Sequence, residues 1–144
     1  KKDILILRGR NYDPSLLENR LDELSFIRKG CCVAVGHLNN EKESEELIIL
    51  CESAHKIDNF EQSINEVKKI ILTHHQVKVD HVLLLAAGAL PRTSSGKIKR
   101  QESKKLFLNK ELHAPQKVGA QKYFQETIKG LWSYGIDRIK EKHG

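Results

Sequence analysis

Between Leu90 and Arg100 the chain reads LPRTSSGKIKR. Thr93, Ser94 and Ser95 supply three hydroxyls, and Arg92, Lys97, Lys99 and Arg100 supply four positive charges. Hydroxyls and backbone amides beside fixed cations suit a phosphate or carboxylate on which negative charge develops. Lys97 is the candidate charge carrier, with Gly96 allowing the bend that presents it. A nucleotide-binding P-loop does not fit. That pattern needs Gly at position 91 and Ser or Thr at position 98. Pro91 removes the glycine turn, and Ile98 lacks the hydroxyl that would hold magnesium.

Several elements must position this stretch. The β-prone run Asp3 to Leu7 ends at Arg8-Gly9-Arg10, where glycine permits positive φ or a close approach by a ligand. Asp13-Pro14 reads as a helix start, followed by Leu17, Leu21 and Leu24 on one face, with Gly30 expected to stop the unit. Cys31 to Val35 and Leu47 to Cys51 are apolar runs of strand length around a polar hairpin loop. Asp58 reads as a helix cap with Glu61 three residues on, and Phe60, Ile64, Val67 and Ile71 continue the helix to about His74. Val77, Val79 and Val82 to Leu85 read as a further strand, and Ile98 to Leu108 as a basic helix.

Pro115 marks a break, and an amphipathic helix is expected from about Gly119 through Phe124, Ile128, Leu131 and Ile139. The order β, α, β, β, α, β, α argues for an α+β fold. Its small, largely antiparallel sheet would comprise a short N-terminal β-pair plus about three strands, packed with helices. The expected organisation is one subdomain over 1–108, then a linker and C-terminal helix over 109–144.

Composition bounds the function classes. At 144 residues with 39% hydrophobic and 31% charged content, the chain suits one folded domain rather than a disordered segment. No apolar run approaches the ~20 residues of a membrane-spanning helix, and no membrane contact is expected. The chain lacks methionine and begins in mid-pattern, so it reads as a piece of a larger protein. Cys31, Cys32 and Cys51 are odd in number and lie in apolar runs, as buried thiols of a reducing, cytoplasmic compartment would. No CxxC or HxxxH spacing suggests a metal site. A net charge of +6 favours anionic partners. A nucleic-acid-binding module is one alternative, with Lys97, Lys99, Arg100, Lys104 and Lys105 tracking phosphates. No aromatic residue lies in that patch to stack on bases, so nucleic acid is not the expected partner.

Pro91 to Arg100 resembles the last core motif of the adenylate-forming enzymes, P-x-T-x-x-G-K-I/L-x-R. Lys2-Asp3-Ile4-Leu5-Ile6, with Arg8-Gly9 after it, resembles that superfamily's hinge motif, and Glu18 matches a glutamate in the next helix. More narrowly, Arg8 to Pro14, Arg28 to Ala34 and Gly88 to Lys97 are similar to segments of fatty acyl-AMP ligases. A fatty acid–coenzyme A ligase is the second reading.

The resemblance implies a mobile C-terminal subdomain of a larger ATP-dependent ligase. A fatty acid carboxylate would attack the α-phosphate of ATP, releasing pyrophosphate. The acyl group would then pass to a thiol, that of a carrier protein's phosphopantetheine or of coenzyme A. By alignment Lys97 is the catalytic lysine, Lys2 the hinge, and Thr93, Ser94, Ser95 and Gly96 the catalytic loop. Arg8, Gly9 and Arg10 lie on the acceptor side. ATP with Mg2+ would be bound mainly by an N-terminal adenylation domain, the natural partner of this lobe, and the fragment alone is expected to be inactive.

Overall fold

A computed structural model describes residues 3–39, 44–109 and 111–112. The chain opens with a hairpin of β1 (Leu5–Leu7) and β2 (Arg10–Tyr12), paired antiparallel with Leu7 opposite Arg10. Its two-residue turn has φ of 50° at Arg8 and 77° at Gly9. Positive φ at both central residues matches the strand twist, and glycine takes the second without a Cβ penalty. Leu5 and Leu7 face inward while Ile6 stays exposed, the period of two expected of a strand.

Asp13 then caps α1 (Pro14–Leu21), its carboxylate accepting from the Ser15 amide at 2.9 Å with Pro14 in the first turn. Leu17 and Leu21 are buried on one face, whereas Leu24 falls beyond the helix end. Gly30 does not stop a unit there. It lies within β3 (Ile27–Asn39), where the register with the next strand shifts between Ile27 and Cys32. The irregularity lets one long strand bend and continue.

β4 (Ser44–Ser53) pairs antiparallel with β3, and β5 (His81–Leu85) pairs parallel with β4. A parallel partner needs a crossover, supplied by α2 (Phe60–His75). The cap of α2 is Asn59 rather than Asp58: its side chain accepts from the Gln62 amide at 2.9 Å. Val77 and Val79 are buried but precede β5, so the expected strand is shorter at its start. The last described helix, α3 (Arg100–Leu108), starts two residues after Ile98, which bridges back to Arg92 instead. The expected helix beyond Gly119 lies outside the described residues.

The sheet order is β3-β4-β5, and β4 is central. Leu47, Ile49 and Cys51 join a core under α1 and α2, while Ile48 and Leu50 join a second core with Phe107 of α3. Burial on both faces explains why β4 reads as a continuous apolar run. Leu112 belongs to the second core as well. The three cysteines are buried free thiols, and Cys32 lies across the ladder from Cys51 with 3.3 Å between sulfurs. Contact with Cys51 and burial push the Cys32 thiol far above the ordinary cysteine range.

Phe107 is 1% exposed and is the anchor of α3. Phe107→Ala is expected to destabilise the fold by about 3–5 kcal/mol through lost burial and a residual cavity. Urea denaturation checks this through a lower midpoint at unchanged slope.

Candidate functional site

The loop between β5 and α3 is built as a closed hairpin rather than an open coil. Arg92 and Ile98 form a β-bridge, and the Lys99 amide donates to the Pro91 carbonyl at 2.9 Å. Above that base, the Thr93 amide donates to the Lys97 carbonyl at 2.8 Å and the Gly96 amide donates to the Thr93 carbonyl at 2.9 Å. The Lys97 amide reaches Thr93 Oγ1 at 3.2 Å, and the Thr93 and Ser95 hydroxyls share a hydrogen bond of 2.9 Å. Gly96 has φ of 91°, which an L side chain would strain, so glycine is required to close this turn. Residues Thr93 to Lys97 are all exposed. Lys97 thus stands in solvent on a tip whose backbone is internally bonded.

Below the hairpin lies a side chain that the sequence patterns did not single out. Glu52, near the end of β4, is 0% exposed. Its Oε1 accepts from the Gly88 amide at 2.9 Å and from Arg92 Nη2 at 2.7 Å, and its Oε2 accepts from the Leu90 amide at 2.9 Å. Arg28 Nη1 approaches Oε1 at 3.5 Å. Burial alone would raise the Glu52 pKa. The Gly88 and Leu90 amides and Arg92 outweigh it, and the carboxyl is held below the usual glutamate range. Arg92 Nη2 also contacts Cys31 Sγ at 2.7 Å. A lone acid closing an apolar strand run is the sequence signal that marks Glu52.

A second carboxylate ties the end of the loop to the opposite side of the fold. Glu18 of α1 accepts from the Ala34 amide at 2.8 Å and from Arg100 Nη2 at 2.6 and 2.7 Å. Arg100 Nη1 also donates to Asp3 Oδ2. Burial opposes ionisation of both partners. For Arg100 the Glu18 and Asp3 carboxylates win and raise its pKa, whereas for Glu18 burial wins and pushes its carboxyl up. Lys99 Nζ lies 3.6 Å from Glu102. Two of the five cations of the basic patch thus face carboxylates within the lobe.

The other singled-out residues lie elsewhere. Arg8 and Arg10 line a cavity of about 260 Å3 with Tyr12, Gln76, Lys78 and Asp80, and no residue of the 93–97 tip borders it. Arg8 Nη2 is 4.0 Å from Asp80 Oδ1. Gly9 is in the turn between them. Lys2 lies outside the described residues. Among the described residues, no group of three His, Cys, Asp or Glu side chains could hold a metal, and no helix is long and apolar enough to cross a membrane.

A β-hairpin leading into a three-stranded sheet, with helices on both faces and a lysine-bearing loop before the last described helix, defines the C-terminal lobe of an adenylate-forming enzyme. The chain belongs to the Disco-interacting protein 2-like AMP-domain family, whose model matches residues 2–117. It is 34% identical over 112 residues to the long-chain-fatty-acid–AMP ligase FadD23 of Mycobacterium tuberculosis, covering 76% of this chain and 19% of that protein. It is 32% identical to the medium-chain-fatty-acid–acyl-carrier-protein ligase JamA of Moorena producens, covering 74% of this chain and 18% of that protein. Among solved structures, one from studies of fatty acyl-adenylate ligases from E. coli and L. pneumophila matches with a TM-score of 0.55 and 30% identity, over 73% of this chain and 18% of that one. The chain therefore spans about a fifth of the length of the curated relatives it matches.

The depressed Glu52 pKa makes its contribution to stability depend on pH. That contribution is fully present above the unfolded glutamate value of about 4.3 and is lost as pH falls through the lower folded value. Thermal unfolding of Glu52→Gln and the parent chain should therefore differ most near neutral pH, and the gap should narrow in acid.

Proposed function

We propose that this chain is the C-terminal lobe of a fatty acyl-AMP ligase and that Lys97 is its catalytic residue. Supporting this is the placement of Lys97 on an exposed, internally bonded tip, in a chain whose relatives are named as fatty-acid–AMP ligases. The ammonium would lie between the fatty acid carboxylate and the α-phosphate of ATP. It would hold the two together as the carboxylate oxygen attacks phosphorus and pyrophosphate leaves. A compact charge on a flexible stem suits that task. Thr93, Ser94, Ser95 and Gly96 shape the tip. ATP and its Mg2+ belong to a partnering N-terminal adenylation domain, and this lobe alone has no turnover.

In the second half-reaction the acyl group passes to a phosphopantetheine thiol of an acyl carrier protein, releasing AMP. The name of the Moorena relative, an acyl-carrier-protein ligase, supports a carrier-protein acceptor. The Arg8-Gly9-Arg10 turn is the acceptor side, and Lys2 is the hinge about which the lobe turns between the two steps. Residues 1–108 make up the lobe proper on this reading, and the packing of Leu112 in the second core extends it slightly beyond them.

Pyrophosphate exchange on the full-length ligase with fatty acids tests this reading. Lys97→Ala is expected to lower adenylation by roughly 10²–10³-fold, as when one preorganised oxyanion donor is removed. Thioester formation from supplied acyl-adenylate should be spared. Wild-type exchange rates in Lys97→Ala would refute the assignment, and a preference for free coenzyme A over carrier protein would replace the acceptor.

A further inference from the structure

We propose that Glu52 is a positioning residue for adenylation, holding the base of the loop so that Lys97 is delivered in register. This rests on the assignment of Lys97 above. Parity along β4 places Glu52 on the same sheet face as Ile48 and Leu50, beneath the chain that leaves β5. There its two oxygens collect three close donors from the segment entering the hairpin: the Gly88 and Leu90 amides and the Arg92 guanidinium. Neither amide belongs to a strand or helix, so without this carboxylate they lose the partner they have. From Arg92 the restraint passes upward through the bridge to Ile98 and the paired bonds between Thr93 and Lys97.

The carboxylate is needed as such. Both of its oxygens are acceptors, and the three donors use both. A glutamine amide presents one oxygen and one NH2 group, so at least one N–H of the loop would face another donor. Leu90 is the buried core residue contributed by this loop, so a loosened loop base leaves the rest of both hydrophobic cores in place. Lys97 cannot tolerate it equally, since a displacement on the order of 1 Å can cost about 10²-fold in rate.

The test uses the full-length ligase and both half-reactions. Glu52→Gln is expected to lower kcat for adenylation by roughly 10²-fold with a much smaller change in KM for ATP. Thioester formation from supplied acyl-adenylate should stay within about twofold, because Lys97 takes no part in it. Arg92→Gln removes the same restraint from a side chain that is 25% exposed, and it carries the test if Glu52→Gln does not fold. Combined with Glu52→Gln, it should add little further loss, the signature of a shared interaction. Equal losses in both half-reactions, or unchanged adenylation in a folded variant, would overturn the proposal. Lys97→Ala serves as the control: if it abolishes adenylation while the Glu52 and Arg92 variants do not, positioning by Glu52 alone fails. If Lys97→Ala leaves adenylation intact, the catalytic assignment fails first.

Discussion

A single ionised carboxylate, removed from water at the end of the central strand, fixes the geometry of the loop in this lobe. Burying a charge is costly unless it is fully hydrogen-bonded. Glu52 meets that condition with two backbone amides and a guanidinium, all within 2.9 Å. Those donors come from the segment that becomes the Lys97 hairpin, so the energetic need of the carboxylate and the placement of the loop are one constraint. Leu90 and Ile98 add packing against the second core, and Arg92 also reaches Cys31 of β3.

Glu18 performs a related task at the other end of the hairpin. It ties α1 and the Ala34 amide of β3 to Arg100, the first residue of α3, and Arg100 continues to Asp3 ahead of β1. The hairpin is thereby anchored on both sides, at Arg92 by β4 and at Arg100 by α1. Its tip is left in solvent. The base of the hairpin is thus tied down while residues Thr93 to Lys97 stay exposed.

Much of this was legible in the sequence. The apolar run Leu47 to Cys51 had the length of a strand, and Asp13-Pro14 announced α1. Leu90 to Arg100 declared a cation-bearing loop. Other features turn on contacts that local pattern does not carry. Asp58 and Asn59 are adjacent residues of capping type, and only the backbone shows that Asn59 occupies the extended cap position. Ile98 has helical spacing with the residues of α3, yet its bridge to Arg92 delays the start of that helix. Gly30 reads as a terminator but sits in an irregular strand. Glu52 is separated in sequence from every donor it holds in the loop. Its role depends on a segment 36 to 40 residues later returning to the same end of the sheet.

The most direct measurement tracks the Glu52 side-chain carboxyl carbon by NMR across an acid titration, together with the Gly88 and Leu90 amides. The carboxyl is expected to stay ionised below the usual glutamate range, with both amides shifting at the same midpoint and both protected from exchange at neutral pH. A carboxyl that titrates at or above the ordinary value, beside amides exchanging as freely as an open loop, would contradict this expectation.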